Sequence, residues 1–307
     1  MSQADKSYKT ILEEVLTYGE KRKTRSGDVI TMFAPSAFRF SMRQGFPLLT
    51  CKRTLMRLII GEALWFLNGE TDLGSLRKRT WGFNDFERHT IWTDDYERFR
   101  KLLHAKYNVY ADVSDESVIQ DLGRLYGEQM RNSQGIDGHS VDQVAKLVKL
   151  IKKDPYSRYM LVNSWNPAEI DAGLMALPPC HVLFQTYVTN NNEMDLLWYQ
   201  RSVDTFLGLP FNIASYGFIL AVLAKITGKK VRNLIGYFGD TQVYCNHIEQ
   251  VQKTLQNPDY NAPSFDLSGF DKLTCLDDLK NMTADDFLPF LENYKHAGEI
   301  KAPLSVG

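Results

Sequence analysis

Apolar residues recur at intervals of three and four in several segments of the chain, and this spacing predicts helices. Residues 8–20 place Ile11, Leu12, Val15 and Leu16 on one helical face. Three further segments combine such a pattern with a stop signal: 57–69 with a terminal Asn-Gly, the amphipathic 141–155 with its last proline, and the strongly apolar 213–228 with its last glycine. The last of these has no polar face, so we expect it to be buried.

Alternation of polar and apolar residues predicts strands elsewhere in the chain. Residues 29–42 have the pattern of paired strands around a Pro-Ser turn. Segments 158–165, 181–188 and 193–202 have the pattern of three successive strands, the last two joined by the turn-rich "TNNNE". Because strands and helices are mixed without strict alternation, the α+β class is favoured.

The segment from about 72 to 121 is charged and aromatic, and we interpret it as a helical insertion that could serve as a lid. Residues 257–270 and 281–287 are predicted to be irregular. Repeats, low-complexity tracts and convincing linkers are absent from the sequence. We therefore expect a single domain spanning residues 1–307.

Composition narrows the class of function. The chain has 307 residues, of which 44% are hydrophobic, and a formal net charge of -1, which argues against a nucleic-acid groove or a membrane-surface patch. Its four cysteines are far apart without a CxxC pair, which disfavours a zinc site or a disulfide framework. The N-terminus has no apolar signal region, and no apolar run is judged long enough to cross a bilayer. These features predict a soluble cytoplasmic protein.

Cys180 lies in the stretch "ALPPCHVLFQTYV", between two prolines and a histidine, at the start of a predicted strand. Free cysteines are among the most buried residue types and most are inert, so one interpretation is a buried apolar residue. A protease-like pair with His181 is disfavoured, because neighbouring side chains of a strand point to opposite faces. A third interpretation, a nucleophile, depends on what surrounds the thiol.

The segment "WYQRSVDTFLGLPFNIASY", residues 198–216, supplies suitable surroundings. The guanidinium of Arg201 beside a thiol favours the thiolate, and arginine also binds phosphate through paired hydrogen bonds. Ser202 adds a hydroxyl donor, and Asn212 offers one donor and one acceptor that match O4 and N3–H of uracil. Each residue alone has a structural explanation. Asp204, for example, could be a helix cap. Their density in one segment favours a shared site.

Ten blocks of the sequence occur in the same order as in a known family: "FPLLTCKR", "GEALWFLNGET", "DLGRLYGEQMR", "DPYSR", "SWNP", "MALPPCH", "WYQRSVD", "LGLPFNIASY", "GDTQVYCNH" and "IKAPLSV". With them the chain resembles the thymidylate synthase and deoxynucleotide hydroxymethylase family over nearly its whole length. The resemblance implies a mixed β-sheet flanked by helices and a homodimer formed through the sheet face. It also implies 5,10-methylenetetrahydrofolate as co-substrate, with no metal.

The resemblance assigns Cys180 the role of nucleophile toward C6 of dUMP, with Arg201 activating the thiolate. Glu62 would relay protons, and its place in an apolar run should raise its pKa, as general acid–base work requires. Tyr126 would assist removal of the C5 proton. The implied catalytic residues are Cys180, Glu62, Tyr126, Arg201, Asp204 and Asn212.

The implied binding residues fall into two groups. Those for the nucleotide are Arg25, Arg158 (reaching in from the partner subunit), Arg201, Ser202, Asn212, Gln242 and Tyr244. Those for the folate are Lys52, Trp92, Asp204, Leu207 and Phe211.

Several positions depart from the family pattern. Gln242 replaces a histidine that contacts the sugar, Tyr159 replaces a second phosphate arginine, and Thr93 replaces the aspartate after Trp92. Leu55 stands where many members have histidine, and the chain ends one residue, Gly307, past the usual apolar terminus. The catalytic positions are retained, whereas these positions around them differ.

Three functions remain open at this stage. The first is thymidylate synthase, and the second is a dUMP hydroxymethylase in which water replaces the hydride. Both share every step up to the exocyclic methylene, and water access near Trp92 and the C-terminal tail would separate them. The third is a non-catalytic nucleotide-binding paralogue, which the retained Cys180 and Glu62 disfavour. A cytosine-directed relative normally has aspartate at position 212, so uracil is the favoured base.

Overall fold

The computed structural model describes residues 2–107 and 120–304. In chain order its helices are α1 (Gln3–Tyr18), α2 (Met56–Leu67), α3 (Leu73–Trp81), α4 (Thr93–Tyr107), α5 (Tyr126–Asn132), α6 (Gln143–Lys153), α7 (Pro167–Asp171), α8 (Leu209–Thr227), α9 (Ile248–Gln256) and α10 (Ala284–Phe287). Its strands are β1 (Glu20–Thr24), β2 (Gly27–Phe33), β3 (Phe38–Ser41), β4 (Ser133–Gln134), β5 (Ser140–Val141), β6 (Leu161–Asn163), β7 (His181–Val188), β8 (Glu193–Asp204), β9 (Lys230–Tyr244), β10 (Ser264–Phe265) and β11 (Leu291–Glu292).

A seven-stranded sheet in the order β1-β2-β9-β8-β7-β6 forms the centre of the fold, and β3 also pairs with β9. β8 and β9 run parallel because α8 connects them, while the other neighbours are antiparallel. The chain is thus α+β, a mixed sheet flanked by helices.

Helix α8 lies in the core. It packs against β8, β9 and α2, and nearly all of its side chains are buried. Pro210 lies in its first turn, and Gly228 ends it with φ 67°, a left-handed conformation that glycine adopts without steric cost. Among the described helices α8 alone is long and apolar enough to span a membrane. This corrects the expectation that no apolar run has that length. However, 89% of this apolar stretch is buried inside the protein.

Most of the predicted elements are present. The helices expected over 8–20, 57–69, 141–155 and 213–228 correspond to α1, α2, α6 and α8, and the three successive strands to β6, β7 and β8. The pairing expected within 29–42 is wrong, because β2 and β3 each pair with β9 and not with each other. The segments expected to be irregular contain β10 and α10.

The segment 72–121 contains α3 and α4, as its helical interpretation requires. Residues 108–119 lie outside the described part of the chain. That the segment is an insertion acting as a lid, and that residues 1–307 form one domain, both stay predictions.

Helices α2 and α3 approach each other closely at Gly61 of α2. A β-carbon added at Gly61 would lie 2.8 Å from the Cα of Thr80, inside van der Waals contact. Alanine is intrinsically better than glycine in a helix by about 1 kcal/mol, but overpacking a buried contact typically costs more. Glu62 is the next residue of α2, so this contact fixes the helix that carries a candidate catalytic side chain.

We expect Gly61→Ala to lower the free energy of unfolding by ~1–3 kcal/mol, because the added methyl group must displace Thr80. Urea unfolding followed by circular dichroism measures this. Gly269→Ala is the control, since a β-carbon there would have no neighbour within 4 Å. A Gly61→Ala protein as stable as the wild type would show that the two helices are less tightly packed than described.

Candidate active site

The backbone of Cys180 is held from two sides. Its N–H donates to the Tyr126 hydroxyl oxygen at 2.6 Å, and its carbonyl accepts from the Arg201 N–H at 2.9 Å. It directly precedes β7, where the register of the β7–β8 pair shifts between His181 and Leu183. The thiol is therefore placed at a strand end, beside the strand that carries Arg201.

The Arg201 side chain is fixed by the loop that precedes Cys180. Its Nε donates to the Pro179 carbonyl and its Nη2 to the Pro178 carbonyl, each at 2.9 Å. Its guanidinium carbon also lies 5.1 Å from the centre of the Trp165 ring, in cation–π range. Proline lacks an N–H but keeps its carbonyl, so this loop presents acceptors to the cation.

Burial and charge act on the thiol in opposite directions. Burial raises the pKa of Cys180, while the Arg201 cation and the hydrogen bond from Tyr126 lower it and Asp95 adds to the increase. The net direction is upward. The expected effect of Arg201 is therefore present, but in the structure it only partly offsets the cost of burying the thiolate.

His181 does not form a catalytic pair with the thiol. Burial lowers the pKa of His181 to about 4, so the ring is neutral near pH 7. Its ring contacts those of Tyr126 and Tyr216, with centroids 5.1 and 5.4 Å away. The protease-like interpretation is thus disfavoured by electrostatics as well as by strand geometry.

Asn212, in the first turn of α8, is buried and its amide is oriented by Gln200. The Gln200 Nε2 donates to Asn212 Oδ1 at 3.0 Å and to the Ser202 carbonyl at 3.0 Å. Burial lowers the pKa of His181, and a hydrogen bond with the Asn212 side chain acts in the opposite direction. Sequence reasoning did not give Gln200 this orienting role.

Glu62 and Tyr126 lie on the helical side of the site. Burial raises the pKa of Glu62, and the Trp92 Nε1–H, which donates to its Oε1 at 2.8 Å, lowers it. Burial also raises the pKa of Tyr126 well above its ordinary value. The Tyr126 oxygen accepts from the N–H groups of Cys180 and His181, so its own O–H is available to donate.

A tight turn follows β8 and contains the predicted folate residues Asp204 and Leu207. Asp204 Oδ1 accepts from the N–H groups of Phe206 at 2.9 Å and Leu207 at 3.1 Å. Burial raises the pKa of Asp204, and the charge of Lys52 is among the opposing effects. Phe211 is half-buried one helical turn further on. We call residues 204–207 the Asp204 turn.

Lys52 lies behind the Asp204 turn. It is only 5% exposed, its Nζ donates to the Phe206 carbonyl at 2.7 Å, and the same atom lies 3.5 Å from the centre of the Phe206 ring. Burial lowers the pKa of Lys52 to about 8. In this structure its ammonium therefore contacts the protein, and its predicted contact with folate stays a prediction.

The predicted phosphate and sugar residues are spread over neighbouring elements. Arg25 is exposed in the β1–β2 turn, and Ser26 beside it hydrogen-bonds the Tyr244 hydroxyl at 3.1 Å. Burial raises the pKa of Tyr244, with the charges of Asp204, Cys180 and Arg25 among the further contributions. Ser202 and Gln242 are half-buried on β8 and β9.

Arg158 is placed differently from the other predicted phosphate residues. It is exposed in the loop before β6. Within residues 2–107 and 120–304 no hydrogen bond or ion pair joins it to Cys180, Tyr126 or Arg201 of its own chain. The tail residue Gly307 lies outside the described part. Four residues before it, the Pro303 carbonyl oxygen is 2.8 Å from Nε2 of the buried His247.

Comparison with known proteins decides the family. The family model described as "Thymidylate synthase" matches residues 6–306. The chain belongs to the thymidylate synthase family. It is also 41% identical over 298 residues to a "Probable thymidylate synthase" of Escherichia phage T5, covering 97% of this chain and 99% of the phage protein. The chain is accordingly an enzyme of the transferase class, as its sequence motifs indicated.

Within the described ranges no group of three or more His, Cys, Asp or Glu residues is arranged to hold a metal ion.

The opposed effects on the thiol can be measured by alkylation. We expect the pH midpoint for iodoacetamide labelling of Cys180 to lie above that of an ordinary thiol, about 8.5, because burial dominates. Arg201→Gln should move the midpoint further upward, since the thiolate loses its cation. Peptide mass spectrometry resolves Cys180 from the other cysteines.

Arg232→Gln is the matched control for this measurement. Arg232 is also a sheet arginine held by hydrogen bonds, but its partner is Asp195 at the opposite end of β8. Its loss should leave the Cys180 midpoint unchanged. An Arg201→Gln midpoint equal to or below that of the wild type would contradict the assigned electrostatics.

Proposed function

We propose that this enzyme is a thymidylate synthase that converts dUMP to dTMP with 5,10-methylenetetrahydrofolate as co-substrate. The observation that carries the proposal is the placement of Cys180 beside the fixed Arg201 guanidinium and the buried Tyr126 phenol, with the oriented Asn212 amide interacting with the next residue, His181. A non-catalytic paralogue would have no use for a thiol whose charged form needs such support. The phage relative supports the proposal by its description as a probable thymidylate synthase.

The first step is addition of the Cys180 thiolate to C6 of the uracil. The new S–C6 bond forms as the C5–C6 π electrons shift toward C5 and O4, and the product is an enolate with a nucleophilic C5. Asn212 suits this step, because its amide N–H can donate to O4 while its oxygen accepts from N3–H. Gln200 holds that amide, so the side chain need not reorient during the reaction.

The later steps need proton transfers. Glu62 has a raised pKa and can exchange a proton near neutral pH, either directly or through water. The C5 proton must be removed before the S–C6 bond breaks and the thiolate leaves. Water can accept the C5 proton. The Tyr126 hydroxyl, which contacts the Cys180 backbone and which burial keeps protonated, can donate to that water and orient it without accepting the proton itself.

The residues at the Asp204 turn fit the folate co-substrate, which when bound supplies the one-carbon unit and a hydride. Asp204 Oδ1 is occupied by two backbone N–H groups, so the second carboxylate oxygen can accept from the N–H groups of a pterin edge. Leu207 and Phe211, both half-buried, offer apolar surface to the ring. The Trp92 ring, which was also predicted to contact the folate, is held by its Nε1–H bond to Glu62.

We also propose that the enzyme works as a homodimer in the cytoplasm. The outer face of the sheet carries exposed aromatic and aliphatic side chains, with Tyr187 61%, Tyr237 46% and Leu161 40% exposed. A second copy covering this face would bury them. Arg158 lies in the loop just before β6 and could then reach the phosphate in the partner's site.

The nucleotide formed from dUMP and methylenetetrahydrofolate tests the reaction itself. Mass spectrometry should find dTMP, with dihydrofolate as the second product detected by absorbance. Formation of 5-hydroxymethyl-dUMP with unoxidised tetrahydrofolate would contradict the proposal and assign the chain as a hydroxymethylase. Absence of any new nucleotide would exclude both reactions.

Cys180→Ser should lower turnover by at least ~10³-fold, because an alcohol is not ionised at neutral pH. Calorimetry should show dUMP binding within about threefold of the wild type, since the shape hardly changes. Cys275→Ser, an exposed cysteine, is the control and should retain full activity. Substantial turnover by Cys180→Ser would mean that Cys180 is not the nucleophile.

The partner contribution of Arg158 can be tested by mixing variants. Unfolding and refolding Cys180→Ser together with Arg158→Ala should give heterodimers in which one site has both intact residues. At subsaturating dUMP the mixture should recover up to about a quarter of wild-type activity, because half the dimers carry one sound site of two. Confirmed heterodimers without recovery would show that each site is built within one chain.

A further inference from the structure

A buried carboxylate on α1 takes no part in the proposed chemistry. Asp5 is fully buried, yet it lies in the first turn of the helix. Its Oδ1 accepts from the N–H groups of Thr50 at 2.8 Å and Cys51 at 2.9 Å, and its Oδ2 accepts from the Thr50 hydroxyl at 2.7 Å. A buried charge is costly unless it is hydrogen-bonded, so these bonds fix the segment 50–51 against α1.

The next residue connects this segment to the active site. Lys52 donates to the Phe206 carbonyl and lies over the Phe206 ring. The N–H of Phe206 in turn donates to the carboxylate of Asp204. A continuous chain of contacts thus runs from Asp5 through Lys52 to the Asp204 turn, and each contact is buried or half-buried.

We propose that Asp5 is a positioning residue for the Asp204 turn. It holds the backbone at 50–51, which sets the position of the Lys52 ammonium and therefore of the Phe206 carbonyl. If Asp5 is removed, the two N–H groups lose their acceptor, the segment shifts, and the turn loses its cation. The consequence for folate rests on the proposed function, whereas the effect on the turn does not.

The same helix provides a matched control. Glu14 Oε2 accepts from the Ser36 N–H at 2.7 Å, and Glu14 Oε1 accepts from the Ser36 hydroxyl at 2.5 Å. It therefore makes the same kinds of bond as Asp5, from the same helix, but these bonds are exposed and lead to the connection between β2 and β3. Glu14→Ala therefore shows the effect of losing a carboxylate with similar bonds on α1 that is not connected to Lys52.

Two measurements on Asp5→Ala test the proposal. Amide hydrogen exchange of the nucleotide-free protein should become faster in peptides covering 204–207, with β7 and α8 unchanged. Calorimetry with tetrahydrofolate, in the presence of saturating dUMP, should show about tenfold weaker binding, while dUMP alone binds within about twofold of the wild type. Asp5→Asn keeps one acceptor oxygen and should give intermediate values. Glu14→Ala should match the wild type in both measurements.

Two results would overturn the proposal. Unchanged exchange at 204–207 in Asp5→Ala would show that the turn does not depend on Asp5. Faster exchange throughout the protein, with dUMP and tetrahydrofolate weakened equally, would assign Asp5 a general structural role. If Asp5→Ala does not fold, the same comparison is made with Asp5→Asn. If the wild type fails to bind tetrahydrofolate, the proposed function is wrong, and the exchange measurement still decides the role of Asp5.

Discussion

The site depends on the contact between the Arg201 guanidinium and the loop that carries Cys180. The carbonyls of Pro178 and Pro179 hold the guanidinium, and the Arg201 N–H holds the Cys180 carbonyl. The thiol and the cation therefore cannot separate without breaking three hydrogen bonds. Burial opposes the thiolate, so a fixed cation is what makes a nucleophile possible at this position.

The rest of the site follows from the strands on which this contact lies. β7 and β8 are antiparallel neighbours, so the start of one lies beside the end of the other. The chain leaves β8 through the Asp204 turn and enters α8, whose first turn carries Asn212. One stretch from 180 to 212 thus supplies four of the proposed functional groups: the Cys180 thiol, the Arg201 guanidinium, the Asp204 carboxylate and the Asn212 amide. Glu62, Trp92 and Tyr126 close the site from the helical side.

Periodicity predicted α1, α2, α6 and α8 because each has an apolar face or is apolar throughout, but it gave no prediction for α5, α7 or α9. It missed β9, whose Gly236 and Gly239 interrupt the alternation. Gly236 is required because a β-carbon there would lie 2.5 Å from the Trp198 ring. It also missed β1, whose residues are all exposed and charged or polar, so they show no buried face. Residue chemistry pointed to Cys180 and to the segment with Arg201 and Asn212. Glu62 and Tyr126 came from the family resemblance, since no local pattern connects them to Cys180. Burial of Lys52 and the upward shift of the Cys180 pKa depend on packing, which a linear pattern does not contain.

The central claim is that the Cys180 thiol bonds to C6 of the uracil during the reaction. With 5-fluoro-dUMP and methylenetetrahydrofolate the addition can proceed, but fluorine cannot leave C5 as a cation, so the adduct should persist. Intact-protein mass spectrometry should then show a gain equal to the nucleotide plus the folate, and peptide mapping should place it on Cys180. An unmodified protein, or an adduct on another residue, would contradict the account.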